Sequence, residues 1–227
     1  MLKKLNNSNK AIILLSGGAD SATTLYFAKK NGYKLHALIF DYGQRHKNEI
    51  ASAKQIARIN NIDYTLQRIN LSWAKSSLTN KRIKVTKRRN LSSKKIPLTY
   101  VSGRNIIFLS YAVSLAESIG AKKIFLGAHI QDYSGYPDCR PEFIKSFQKT
   151  VNFGLKEKGL SIQTPLIRKN KKQIIKMGLK LGVPFENTYS CYQGKKKPCC
   201  ACDSCRFRIA AFTQLGLTDP LLLKSQN

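Results

Sequence analysis

The stretch Ala11-Ile12-Ile13-Leu14-Leu15-Ser16-Gly17-Gly18-Ala19-Asp20-Ser21 decides how the chain is read. An apolar run stops at a Ser-Gly-Gly turn and a helix-forming segment follows, which predicts a strand, a tight turn and a helix. Lacking a Cβ, Gly17 and Gly18 allow φ > 0 and close approach to a ligand. Successive N–H groups around such a turn form an anion-binding nest. The helix starting near Asp20 and Ser21 adds unpaired N–H groups and its positive dipole end. The stretch therefore reads as a phosphate cradle at the end of a first strand. It is not a Walker loop, because the Gly-Lys-Ser/Thr ending is missing. A bare Gly-Gly corner would suit any strand–turn–helix connection, but the full six-residue string directly behind an apolar run favours the cradle.

Further strands are predicted at Lys34–Phe40, Ile62–Ile69, Lys123–Gly127 and Ser161–Thr164. Helices are predicted at Ser21–Lys30, Lys47–Ile59, Ile106–Ile119 and Lys171–Leu181, from Pro141-Glu142 onward, and over Ile209–Leu215. Strands alternating with helices predict an α/β fold with a doubly wound parallel sheet. Ligands of such sheets sit beyond the C-terminal strand ends, so the Ser-Gly-Gly turn and Asp41-Tyr42-Gly43-Gln44-Arg45-His46 are expected to face one cleft. The loop Ala128–Arg140 carries His129, Asp132, Tyr133, Tyr136, Asp138 and Arg140, a density of function that a connector does not need.

At 227 residues and 42% hydrophobic composition, the chain reads as one domain with a small appendage, divided into 1–185 and 186–227. The formal charge of +28, from 40 Lys and Arg against 12 Asp and Glu, attracts polyanions, although the basic residues are scattered along the chain. Leu71–Lys95 is strongly basic, and the stretch 71–98 is expected to be a mobile loop or lid with few apolar anchors. An RNA-binding patch is possible there, but aromatic interleaving is poor, so nucleic acid is a possible and not an expected partner. No run resembles a secretory signal or a membrane span, which predicts a soluble cytoplasmic protein without membrane partners.

Cysteines are expected to be reduced in that compartment. Cys191, Cys199, Cys202 and Cys205 have the spacing of a metal site. Four thiolates suit tetrahedral Zn²⁺, and a Cys-x-x-Cys-x-x-Cys run with a nearby fourth cysteine also suits an iron–sulfur cluster. Cys200 is an additional thiol inside the knuckle.

The string Ser16–Ser21 resembles the signature of the PP-loop ATP pyrophosphatases, which bind ATP and transfer AMP to a substrate oxygen. Asp41–His46, Arg104-Asn105, Ser134–Arg140, Ser190-Cys191 and the cysteine cluster follow in one order, ending near Asp219-Pro220. Together they resemble the 7-cyano-7-deazaguanine synthase family of queuosine biosynthesis, from about Ala11 to Pro220. The resemblance implies a HUP-like α/β fold, a homodimer, and one structural Zn²⁺ per subunit on Cys191, Cys199, Cys202 and Cys205. It also implies ATP and Mg²⁺ as cofactors, with 7-carboxy-7-deazaguanine and ammonia as substrates. Carboxylate and amide oxygens would be adenylated in turn to leave a nitrile.

Within this reading, Leu15, Ser16, Gly17, Gly18, Ala19, Asp20, Ser21, Ala22 and Thr23 are the expected ATP contacts. Asp20 orients Mg²⁺ or caps the helix. Ser16, Asp20, Arg104 and Arg140 are the candidate catalytic residues, the arginines neutralising developing charge. Arg45 and His46 are expected beside the substrate. Asp132 and Asp138 are candidates for reading the adjacent N–H donors of the base, with Tyr136 stacked on the ring. The chain departs from the family pattern at Ser102 (usually Pro), His129 (often Asn) and Cys200 (usually Gly). The first departure is expected to loosen a turn and the last to strain the knuckle.

Two other functions fit parts of the sequence. A PP-loop tRNA-modifying enzyme, of thiolase or lysidine synthetase type, suits the charge. The chain carries no recognisable RNA-binding appendage, however, and its Tyr-Pro-Asp-Cys-Arg loop suits a small ligand. A non-catalytic zinc-containing nucleic-acid binder would have no use for an intact ATP cradle.

Overall fold

The apolar run near the start becomes the central strand of the molecule. The computed structural model describes residues 9–88, 90, 95–129, 136–195 and 197–224. Its strands are β1 (Lys10–Leu14), β2 (Lys34–Asp41), β3 (Tyr64–Arg68), β4 (Lys123–Phe125) and β5 (Ser161–Gln163). All pair in parallel, in the order β3-β2-β1-β4-β5. Ile12 pairs with His36 on one side and with Ile124 on the other. The order reverses across β1 and β4, so a crevice opens beyond their C-terminal ends.

Side chains alternate across the sheet with period two. Ile12, Leu14, Leu38 and Phe40 point to one face, where they meet Leu109, Ala112 and Ala116 of α3 (Arg104–Ile119) and Ile144 and Val151 of α4 (Pro141–Gly154). Ile13, Ala37 and Ile39 point to the other face, against α1 (Ala19–Lys30), α2 (Asn48–Ile59), α5 (Lys171–Lys180) and α6 (Asp203–Thr213). A short helix, α7 (Pro220–Lys224), closes the described chain. Among the described residues no helix is long and apolar enough to cross a membrane. This is the HUP-like α/β class that the sequence predicts.

Two sequence expectations change. The last core helix begins at Asp203 rather than Ile209, so Cys205 lies in its first turn, with the acid at its positive end. The basic stretch after β3 is better anchored than its charge suggests. Leu71, Ala74 and Leu78 are buried in the α3 core, Val85 is buried against the cysteine cluster, and Ser76 and Ser77 are fully buried. The lysines and arginines between these anchors hide them from a reading based on composition.

The tail is fastened by a buried ion pair. Arg208 donates to both Asp219 carboxylate oxygens, at 2.6 and 2.8 Å, and its remaining N–H groups bond Thr188 and the Phe185 carbonyl.

Candidate functional site

The cradle follows from how β1 meets its neighbours. Gly17 has φ +85°, and a Cβ there would lie 2.2 Å from the Glu49 carbonyl oxygen and 2.7 Å from the Ala53 nitrogen. The start of α2 thus leans on this backbone and excludes any side chain. Gly18 has φ −79°, so of the two glycines only Gly17 uses the left-handed region. The hydroxyls wire the loop internally. Ser21 Oγ accepts the Ser16 N–H at 3.2 Å, donates to the Gly18 carbonyl at 3.1 Å, and lies 3.0 Å from Ser16 Oγ. No side chain caps α1, which leaves its first N–H groups for an anionic ligand.

Not every expected ATP contact reaches the cavity. Leu15, Ser16, Gly18, Asp20 and Ser21 line it. The side chains of Ala19 and Ala22 belong to the core, and Thr23 is fully buried, bonding the Ala19 carbonyl at 2.8 Å. These are packing positions of α1, Ala19 at its first residue and Ala22 and Thr23 one turn further on.

Asp20 does not cap its helix. Both of its carboxylate oxygens accept from Lys171 Nζ at 2.7 Å, and His129 Nε2 lies 3.4 Å from Oδ2 and 3.1 Å from Lys171 Nζ. Burial alone would raise the Asp20 pKa, but Lys171 and His129 outweigh it and hold the carboxyl well below the ordinary range. Lys171 is the first residue of α5, set by a capping box in which Asn170 and Gln173 bond each other's backbone N–H. A buried lysine at a helix N-terminus opposes the helix dipole, and Asp20 compensates for it. The sequence reading missed Lys171. Asn170-x-x-Gln173 was the available signal.

The cradle opens into a cavity of about 200 Å³ at the C-terminal ends of β1, β2 and β4. One wall is aromatic. Phe108 stacks on Phe40 at 3.9 Å, and the Arg104 guanidinium lies 5.7 Å from the Tyr42 ring centre and 5.9 Å from that of Phe108. Burial would depress the Arg104 pKa, but the net shift is upward, and the guanidinium, which donates to the Tyr42 hydroxyl at 3.3 Å, stays charged. Burial also raises the Tyr42 pKa, which keeps that phenol neutral. Tyr136 lines the cavity, with its hydroxyl 2.8 Å from Thr99 Oγ1 and its ring stacked on Tyr100. His46, fully inside, places Nε2 3.0 Å from Glu49 Oε2, and both line the cavity.

Three expected site residues lie outside the cavity lining. Arg45 turns away from the cavity and donates to the Asn80 and Ile83 carbonyls at 3.1 and 3.2 Å, holding the basic segment. Asp138 is buried, and its Oδ2 accepts the Asn105 N–H at 2.9 Å. Gly103, which precedes α3, offers no side chain, so Asp138 supplies the acceptor that the first turn of α3 lacks. Arg140 is exposed at the start of α4 and does not line the cavity. Asp132 lies outside the described residues. Besides Lys171, the reading missed Glu49, Phe108 and Ser190, all of which line the cavity.

The four cysteines meet as expected. The sulfurs of Cys191, Cys199, Cys202 and Cys205 all lie within 4.8 Å of one another. Tetrahedral coordination with metal–sulfur bonds near 2.3 Å sets sulfurs about 3.8 Å apart, so the set fits one ion. A multi-iron cluster would need the sulfurs further apart. Backbone N–H groups of Cys199 and Cys202 point at Cys191 Sγ and Cys199 Sγ, each at 3.3 Å, as thiolate ligands require. Hydrogen bonds from Cys202 and Cys205 hold the Cys191 thiol far below its ordinary pKa. Cys200 is exposed, outside this set, and has φ +52°.

A five-stranded parallel sheet with a Ser-Gly-Gly-x-Asp-Ser cradle beside its switch point defines a PP-loop synthetase fold. Among solved structures the chain is similar to NMN synthetase from Francisella tularensis (TM-score 0.52, 16% identity, 96% of this chain and 82% of that one), a likeness of fold alone. The family model of the queuosine biosynthesis protein QueC matches residues 10–216, and the chain belongs to that family. Among curated relatives it is 49% identical over 224 residues to 7-cyano-7-deazaguanine synthase of Clostridium kluyveri, covering 96% of this chain and 99% of that one. It is 47% identical to the synthase of that name from Trichodesmium erythraeum, covering 94% and 100%. The synthase of Thermoplasma acidophilum is 49% identical, over 93% of this chain and 91% of its own.

Proposed function

We propose that the chain is an ATP-dependent ligase of queuosine biosynthesis that converts 7-carboxy-7-deazaguanine and ammonia to 7-cyano-7-deazaguanine. The observation that carries the proposal is the single cavity shared by the phosphate cradle and the aromatic wall with Arg104. A nucleotide and a flat heteroaromatic acid would meet there. The carboxylate attacks the α-phosphorus of ATP, pyrophosphate leaves, and ammonia displaces AMP from the acyl adenylate to give the amide. The amide oxygen is then adenylated in the same way, and its loss as the phosphate ester, with departure of the nitrogen-bound protons, leaves the nitrile. Hydroxide and oxide are poor leaving groups, and phosphorylation of the oxygen solves both steps.

Such transfers need positioning and charge neutralisation more than covalent help. The Ser16–Gly18 loop and the start of α1 would hold the phosphates. Arg104 would face the developing charge, with the base against Phe108 and Tyr136. Among the described residues Asp20 and Glu49 are the carboxylates lining the cavity. Asp20 is engaged by Lys171, so Mg²⁺ would be held chiefly by the triphosphate, where it neutralises the leaving pyrophosphate. The tetrahedral thiolate set suits Zn²⁺ in a structural role. A cytoplasmic homodimer belongs to the same reading. An RNA-modifying reaction is not favoured, because the cavity is sized and lined for small molecules.

The test is direct. Purified protein with ATP, Mg²⁺, ammonium and 7-carboxy-7-deazaguanine should yield the nitrile by mass spectrometry, and an Asp20→Asn variant should not. Folded, metal-loaded protein giving no conversion would overturn the assignment.

A further inference from the structure

The cysteine cluster touches the phosphate cradle directly. Tyr189 N–H donates to the Gly17 carbonyl at 2.9 Å, a backbone bond between the tail and the loop. Next in sequence, Ser190 lines the cavity. Its Oγ lies 3.4 Å from the point where a Cβ on Gly18 would stand, and Ser16 Oγ lies 3.5 Å from the same point. The two hydroxyls therefore converge on one face of Gly18. Ser16 Oγ is bonded within the loop, whereas the Ser190 hydroxyl has no hydrogen-bond partner among the described residues. It retains its full donor capacity at the edge of an anion nest.

What fixes Ser190 is its neighbour Cys191, a buried member of the thiol set. Gly194, three residues after Cys191, rests on the chain just beyond β2. At Gly194 a Cβ would stand 2.6 Å from the Arg45 carbonyl oxygen and 2.8 Å from His46 Cα. Ser204, one residue before Cys205, lines the cavity as well.

We infer that the cysteine cluster is part of the nucleotide site: its metal fixes Cys191, and Cys191 presents the Ser190 hydroxyl to the phosphate chain of ATP. The inference rests on the ATP-dependent reading above. Without the ion the four sulfurs lose the bonds that draw them together, so the segment after Cys191 is free to spread and carries Ser190 away from Gly18. The Ser16–Ser21 half of the cradle stays, because β1, α1 and α2 hold it. Nucleotide affinity then falls while the α/β body remains folded.

Calorimetric titration of ATP with Mg²⁺ into metal-loaded protein tests this without turnover. One charge-assisted hydrogen bond corresponds to about tenfold in affinity. Ser190→Ala is expected to weaken ATP about tenfold, and Ser190→Thr, which keeps the hydroxyl, to bind within about twofold of wild type. Chelation that leaves the circular dichroism spectrum intact should weaken the wild type at least as much, and Ser190→Ala should then make no further difference. If chelation unfolds the chain, Gly194→Ala takes its place, since it pushes the knuckle off Arg45 with all four cysteines present. It should weaken ATP like Ser190→Ala at unchanged metal content. Ser190→Ala binding ATP as tightly as wild type overturns the inference, as does full affinity in folded, metal-free protein. A wild type that binds no ATP overturns the ATP reading instead.

Discussion

Replacing Lys171 by Met removes the ammonium and keeps most of the side-chain bulk. It leaves Asp20, whose side chain is 28% exposed, facing His129 at 3.4 Å among the described residues. Breaking a fully buried pair costs about 3–5 kcal/mol, and an exposed pair is worth about 0–1 kcal/mol. The geometry here lies between, with two 2.7 Å bonds on one carboxylate, so Lys171→Met should lose about 2 kcal/mol at pH 7. For a chain of this size that lowers Tm by roughly 4–8 °C. The loss also has a signed pH dependence. A carboxyl whose folded pKa is depressed contributes stability above its unfolded value of about 3.9, and that contribution is lost as pH falls through the folded value. Since Lys171, together with His129, lowers the Asp20 pKa against the opposing effect of burial, the gap between wild type and variant should be full at pH 7 and shrink below about pH 4. Urea unfolding at several pH values reads both quantities. The variant Asp20→Asn with Lys171→Met should lose less than the sum of its single changes by about 1 kcal/mol or more. A gap that persists unchanged to pH 3, or single effects that add to within about 0.5 kcal/mol, would refute the pairing argument.

Two further outcomes follow, the first from a corrected assignment and the second from the expected strain at Cys200. Asp138→Ala removes the acceptor for the first turn of α3 and should lower unfolding free energy by about 1 kcal/mol, with little change in the KM for 7-carboxy-7-deazaguanine. A sharp rise in that KM would return the carboxylate to the substrate. Cys200→Gly relieves a left-handed residue worth about 1–2 kcal/mol, offset by about 0.5–1 kcal/mol of added chain entropy. It should therefore raise Tm by a few degrees at unchanged metal content, and a drop in bound metal would mean that Cys200 is a ligand.

Much of the fold is local in the sequence. The run ending at Leu15, the Ser-Gly-Gly corner and the alternation of short apolar runs with helical periods are each set by nearby residues, and the parallel order follows from them. The site divides differently. The glycines, the hydroxyls and the four cysteines are legible because their chemistry depends on spacing along the chain. Lys171 is not, because it meets Asp20 across 151 positions; Asn170-x-x-Gln173 marks where its helix starts but names no partner for the lysine. Asp138 and Asn105 show the opposite error. A conspicuous carboxylate in a loop dense with polar groups reads as a substrate contact until the geometry shows an uncapped helix needing it. Arg45 misleads in the same way, since two carbonyls of the basic segment claim it.

The corrections share a direction. Gly17 is pressed by α2, Ser16 is tied to Ser21, Asp20 is gripped from α5, and Gly18 faces Ser190 from the cysteine knuckle. Elements far apart in sequence therefore fix Gly17, Gly18 and Asp20, while Ser16 is held within the loop itself. A reaction that proceeds by adenylation gains from this arrangement. The charge that develops on the phosphates needs donors already in place, and donors that had to be drawn in would cost reorganisation at the moment of transfer. The same arrangement predicts where variation matters. Changes at Lys171 or around the cysteines, remote from the loop in sequence, act on the nucleotide. Changes at Asp138 or Arg45, close to the motifs that identify the family, act on packing.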